Sequence, residues 1–332
     1  MRLERNHIVI AAIVLCAAFV YQTAGRAQER PVVTLEMVDQ WMEELSNWGR
    51  WGADDQLGAI NLITPEKRRQ AAALVKEGVS FSLSRDAETE KAVDNPSPFG
   101  HEMTRTGESL ESNGSGDVFT ISHHGYAHTH MDSLCHMFYN GKMYNGFSQQ
   151  EAAANGCAKL HVNNYRNGIF TRGILMDIPR LKGVDYLEPG TPIYPEDLEA
   201  WEKQAGVKVS SGDVVFIRTG RWALREAKGP WQVSRLSAGL HASCARWLKQ
   251  RDVAMLGSDA ASDLMPSGVD GMTQPIHRLV LIAMGMPIFD NCDLELLSRE
   301  ANRLGRWEFA LTAAPMSVPG ATGSALNPIA TF

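Results

Sequence analysis

The sequence predicts a single α/β domain built on a mixed central sheet. Three observations carry that prediction. Segments with the apolar period of helices and segments with the alternating period of strands follow each other irregularly along the chain. Residues 213–220 form a continuous apolar run of the kind buried on both faces in the middle of a parallel sheet. No repeat, low-complexity tract or linker divides the 332 residues, which are enough for a sizeable core without staples.

The first thirty residues stand apart. Arg2 and Arg5 precede an apolar run over residues 8–21, and Ala24-Gly25-Arg26-Ala27 follows. A basic start, a short apolar stretch and small residues at the end read as a secretory signal cleaved after Ala27. The run is shorter than a comfortable membrane span, so a retained anchor is the lesser alternative. Residues 28–332 are then the working domain, placed in the periplasm or outside the cell, with no membrane association after cleavage.

Within that domain, Leu35, Val38, Trp41, Met42, Leu45 and Trp48 recur at helical spacing. A turn-rich stretch from Trp51 to Asn61 leads to Thr64-Pro65-Glu66, a helix start with Thr as cap and Pro in the first turn. That helix is expected to run through Val75 and stop by Gly78. Val79, Phe81 and Leu83 alternate with serines as in a half-buried strand. Residues 85–117 are polar and read as a long mobile loop ahead of the site, a candidate lid. Asn140-Gly141 signals a hairpin turn. Residues 173–177 read as a buried strand and residues 195–205 as a helix ended by Gly206. Arg218, closing the central strand, faces either a substrate anion or a salt bridge. A helix from Cys244 to Gln250 runs into a strand at residues 253–257, followed by Asp259 and Asp263 where α/β proteins place their sites. Pro275-Ile276-His277 opens a second apolar helix ended by Gly285, and a short strand leads to Asp290.

Composition narrows the class. Hydrophobic residues make up 44% and charged residues 21%, and the net charge is −6, with no basic run for nucleic acid. Beyond the signal lie Cys135, Cys157, Cys244 and Cys292, widely spaced. Export permits disulfides, but the sequence selects none of the three full pairings, and unpaired thiols fit as well.

The chemistry is concentrated in residues 123–136, which hold five of the ten histidines. His124, Tyr126, His128, His130 and Asp132 share one parity, so an extended strand would point them to one side. Imidazole and carboxylate are the usual ligands of catalytic zinc or manganese, and packing does not ask for such a row. Cys135 has the opposite parity and reads as packing. The chain shows no G-x-S-x-G elbow, no phosphate-binding glycine loop and no H-E-x-x-H helix. Metal-activated water is the remaining nucleophile, and a histidine left off the metal can carry the proton.

These residues resemble the signature of the cyclase superfamily of metal-dependent hydrolases, which includes bacterial kynurenine formamidase and isatin hydrolase. Thr129-His130-Met131-Asp132 and His136 match its T-H-x-D and final H. Segments around Trp51-Gly52 and Asp55-Gln56-Leu57-Gly58, Gly212 to Gly220, Gly257 to Asp263 and Thr322-Gly323-Ser324 resemble family segments too. The resemblance implies a swivelling β/β/α fold. It implies that His130 and Asp132 bind metal, that His136 is the general acid/base, and that His277 and Asp290 complete a second site, with Asp where a Glu is usual. The first motif histidine falls on Tyr126 and the motif glycine on His128. Either His128 supplies the missing ligand, or the register shifts and His124, His128 and His130 serve together. The first reading, His128 with His130 and Asp132, is adopted.

The expected function is an exported hydrolase that opens a formamide or lactam with one or two Zn or Mn ions. Its substrate is a small, aromatic molecule, and the chain forms a homo-oligomer, as members of the resembled family do. The alternatives are a polyketide-type cyclase or dehydratase on the same metal, or a non-catalytic periplasmic metal- or ligand-binding protein.

Overall fold

The computed structural model describes residues 32–332, so the signal assigned to residues 1–27 lies outside the described residues. Val33–Phe332 form one compact unit. Its strands, in chain order, are β1 (Ser80–Ser82), β2 (Gly100–Arg105), β3 (Gly116–Thr120), β4 (His130–Asp132), β5 (Ala152–Ala153), β6 (Gly156–Cys157), β7 (Ile169–Asp177), β8 (Pro192–Ile193), β9 (Val214–Arg218), β10 (Gly239–Leu240), β11 (Met255–Ser258), β12 (Ile288–Asp290), β13 (Glu308–Ala313), β14 (Gly323–Ala325) and β15 (Ile329–Thr331).

Nine of these make the central sheet, in the order β1-β15-β13-β7-β9-β11-β12-β4-β14. Its middle, β7-β9-β11-β12, is parallel. Antiparallel strands flank that block on both sides, β13, β15 and β1 on one and β4 and β14 on the other. The mixed α/β sheet expected from the sequence is therefore the architecture found. The parallel block follows from composition: every residue of β9 is buried, and Phe216 stacks on Phe289 at 5.9 Å across the sheet interior.

Local chemistry explains the helices. Thr34 caps Leu35–Glu44 and Thr64 caps Pro65–Ala72, each hydroxyl accepting a main-chain N–H of the first turn. The second helix ends at Ala72, a turn short of the expected Val75. Pro195–Ala205 and Cys244–Gln250 lie where the periodicity puts them. Pro275–Arg278 is a single α-turn that passes into a π-helical turn, Leu279–Ala283. Asn140 and Gly141 both take positive φ and reverse the chain between Tyr139 and Lys142, as the turn signal requires.

Three expectations resolve differently or more sharply. Residues 85–117 are not a featureless loop: Asp94 accepts from Arg225 and Arg221, Glu88 from Arg225 and Arg85, and β2 and β3 then pair as an exposed hairpin. Cys135 and Cys157 form a disulfide, which the spacing did not select. Arg218 donates to Asp177 and Glu295, so it is the salt-bridging residue of the two readings.

Candidate metal centre

β4 is a three-residue strand, wholly buried, held between β12 and β14. Its register sets the site: His130 lies opposite Asp290 on one side and Ala325 on the other, and Asp132 lies opposite Ile288 and Gly323. Opposed residues share a face of the sheet, so His130, Asp132 and Asp290 converge by pairing alone. A Cβ at Gly323 would stand 2.4 Å from the Met131 carbonyl oxygen, 3.0 Å from His124 Cε1 and 3.2 Å from His123 Nε2. Only glycine leaves room there for the two histidine rings.

Two groups of potential ligands form, sharing Asp132: His124, His130 and Asp132, and Asp132, His277 and Asp290. In each, the ligand atoms lie within 4.8 Å of one another. His124 Nδ1 and His130 Nε2 stand 2.9 and 3.4 Å from Asp132 Oδ1, and His277 Nε2 stands 3.8 Å from Asp132 Oδ2 and 3.2 Å from Asp290 Oδ2. Each imidazole is tied by its other nitrogen. His124 Nε2 meets Thr322 Oγ1 at 2.8 Å, His130 Nδ1 the His128 carbonyl at 2.9 Å, and His277 Nδ1 the Asp263 carboxylate at 2.6 Å. Such outer partners hold the ring and turn the inner nitrogen toward the site, the usual support of a metal-binding histidine.

The centre is electrostatically incomplete on its own. Both oxygens of Asp132, Asp290 Oδ1 and His124 Nδ1 are buried without a well-formed hydrogen bond. A buried ionised carboxylate without partners costs several kcal/mol, so the arrangement calls for a cation among these atoms. Nitrogen and carboxylate donors suit a divalent metal ion, and the residues fit such an ion. Burial opposes the charge of Asp132, but the rings of His136, His124 and His130 hold its carboxyl well below the usual range. Burial likewise opposes protonation of His277, yet Asp290 and Asp263 raise it well above an ordinary imidazole.

His136 is the next residue outward. Its ring lies flat on His124, centroids 3.9 Å apart and 9° between planes, with Nε2 3.7 Å from Asp132 Oδ2 and a quarter of its side chain exposed. Burial pushes its imidazole down to about 4, with neighbouring histidines adding to the effect against Asp132.

Of the sequence-derived ligands, the structure brings together His130, Asp132, His277 and Asp290. His128 does not join them. Its ring sits edge-on to Phe99 at 6.2 Å, and its carbonyl, not its imidazole, serves His130. His124 takes the place instead. The shared-parity argument fails because only residues 130–132 are extended; residues 124–128 bend, with Gly125 at φ +155°, and alternation is lost. Burial and the carboxylates of Asp290 and Asp263 push the phenol of the half-buried Tyr126 up to about 12. Sequence reasoning marked Asp263 as lying after a strand end but gave it no role, and it passed over Thr322 as a partner of His124.

The family model for Cyclase matches residues 63–262, more than half of the chain, and the chain belongs to that family. Among solved structures it is similar to one described as a novel cyclase, at 31% identity and a TM-score of 0.78, covering 86% of this chain and 99% of the other. Isatin hydrolase A from Ralstonia solanacearum shares the fold at 17% identity and a TM-score of 0.54, covering 76% and 92% of the two chains. Isatin hydrolase A from Labrenzia aggregata does so at 17% and 0.54, covering 78% and 94%. A comparison with curated proteins found no match.

Proposed function

We propose that this chain is a metal-dependent hydrolase that opens an amide or cyclic amide, a formamide or lactam, of a small aromatic molecule. The observation that carries the reading is the carboxylate of Asp132: buried, without well-formed hydrogen bonds, and shared by two groups of nitrogen and oxygen donors. One or two Zn or Mn ions would be held by His124, His130 and Asp132 and by Asp132, His277 and Asp290. When bound, such an ion supplies Lewis acidity, lowering the pKa of a water and polarising a carbonyl.

The chain's own residues do the rest. Asp263 keeps the Nδ1 proton of His277 and so keeps Nε2 turned inward. His136 is neutral at pH 7, because burial holds its imidazole at about 4. Its Nε2 can accept a proton from an attacking water and return it to the leaving nitrogen. Phe99 and Phe119, 5.4 Å apart, lead from the exposed hairpin to the ring of His128 and offer an apolar approach for an aromatic ring.

Export to the periplasm or beyond rests on the basic-apolar-small pattern of residues 1–27, and the Cys135–Cys157 disulfide fits an oxidising compartment. A homo-oligomer is part of the same proposal. The test is a hydrolysis screen of the zinc- and manganese-reconstituted protein on N-formylkynurenine, isatin and small lactones. Amide or lactam opening that disappears on chelation supports the reading. Metal binding with no turnover across the panel would favour a binding protein, and rearrangement or dehydration without hydrolysis a cyclase.

A further inference from the structure

Asn291 follows the candidate ligand Asp290 and uses every polar atom it has. Its side-chain Nδ2 donates to the carbonyls of Gly125 at 2.8 Å and His128 at 3.2 Å, the two ends of the bend that carries Tyr126. Its main-chain carbonyl accepts from the Thr129 hydroxyl at 2.8 Å, and its N–H donates to the Ala260 carbonyl at 2.9 Å. Its Oδ1 accepts from Arg221 Nη1 at 2.8 Å. Arg221 is itself buried, 2% exposed. Its other arm donates to the Tyr126 carbonyl and reaches Asp94 at 3.3 Å, while its guanidinium lies 4.0 Å over Trp222.

These contacts join four stretches far apart in sequence: Asp94, the bend over residues 124–129, the start of the helix Arg221–Lys228, and the end of β12. The bend has no helix or strand to hold it. Four of its main-chain or hydroxyl groups, the carbonyls of Gly125, Tyr126 and His128 and the Thr129 hydroxyl, bond to Asn291 or Arg221. Two candidate ligands, His124 and His130, stand at either end of it. His130 is fixed through the His128 carbonyl, the same oxygen that Asn291 grips.

We infer that Asn291 and Arg221 are positioning residues of the metal centre, strapping the bend to the ligand-bearing strand so that His124 and His130 meet Asp132. The inference rests on the metal-centre reading above. A buried cation with one aspartate partner and an asparagine with no idle donor are costly to keep; the strap accounts for both.

Asn291 has φ +53°, a left-handed conformation that glycine adopts freely. Asn291→Gly therefore removes the side chain without straining the backbone. Zn²⁺ affinity is measured by competition with a chromophoric chelator, alongside the Co²⁺ visible spectrum, circular dichroism and the melting temperature. The expected result is a loss in Zn²⁺ affinity of about tenfold to a hundredfold and an altered Co²⁺ spectrum, in a protein with the native circular dichroism. Arg221→Lys keeps the cation but loses the two-armed bridge, so it carries the test if the first variant does not fold. Its affinity falls too, and the double variant loses less than the product of the two single losses, because both cut one strap. Wild-type Zn²⁺ affinity in a folded Asn291→Gly or Arg221→Lys, with only the melting temperature lowered, overturns the inference and leaves the metal centre standing. A wild-type protein that binds no Zn²⁺ or Co²⁺ overturns both.

Discussion

Asp132 and its four imidazole neighbours show how far single residues were legible. His130 and Asp132 could be singled out because their residue types announce metal chemistry and the T-H-x-D string fixes both, whereas His277 and Asp290 entered only through the family resemblance. His124 and His128 were indistinguishable by type and parity. Choosing between them required the path of residues 124–129, which follows from Gly125 and from contacts to Asn291 and Arg221 that no local pattern reveals. Two predictions belong here. His136→Ala should keep metal and lower kcat by about 10²–10⁴, since the ring stands beside the ligands without being needed to complete either group. Full activity in that variant, measured under saturating substrate, would end its assignment as proton carrier. Gly323→Ala should weaken Zn²⁺ binding and also lower the melting temperature of the metal-free protein, because its methyl group must displace the Met131 carbonyl on the neighbouring strand as well as the ring of His124; isothermal titration and a thermal melt read the outcome.

At the scale of elements, legibility tracked how local the cause was. Pro195–Ala205 matches its expected bounds because Pro at its start and Gly206 at its end act on their own neighbours. The hairpin β2–β3 escaped because its strands are exposed on both faces and carry no apolar alternation. Strand β13 joins the parallel block through β7, more than a hundred residues away, and β15 joins through β13, pairings that periodicity does not report. The disulfide is of the same kind. It ties the turn bearing His136 to β6, whose Cys157 N–H donates to the Gly320 carbonyl, two residues before Thr322, which holds His124. Cys157→Ser should thus do two things. Closing a loop across a separation of 22 residues stabilises a chain by about 3 kcal/mol, so the denaturation midpoint should fall. Turnover should fall further than metal affinity, because the anchored turn carries His136. A variant that loses stability alone would confine the disulfide to the fold.

The whole molecule places its charge-bearing centre beside a parallel block, and that placement makes metal, proton and fold interdependent. In the metal-free protein Asp290 and Asp263 raise the pKa of His277 above its ordinary value near 6.5, against the effect of burial. A raised pKa contributes stability that is full below the unfolded value and fades as pH rises through the folded one. The metal-free fold should therefore lose this contribution on going from about pH 6 towards alkaline pH. The ion requires the opposite state, His277 with a bare Nε2, so binding must expel the proton. Uptake of Zn²⁺ should accordingly release protons, read as a calorimetric heat that differs between buffers of unlike ionisation enthalpy. A ligand at a hundred times its Kd stabilises by about 2.7 kcal/mol. The gap in melting temperature between loaded and chelated protein should widen between about pH 6 and pH 8, as the proton's competition weakens. A gap that stays constant or narrows over that range would mean that His277 is not among the ligands, and the shared role of Asp132 would have to be redrawn around His124 and His130 alone.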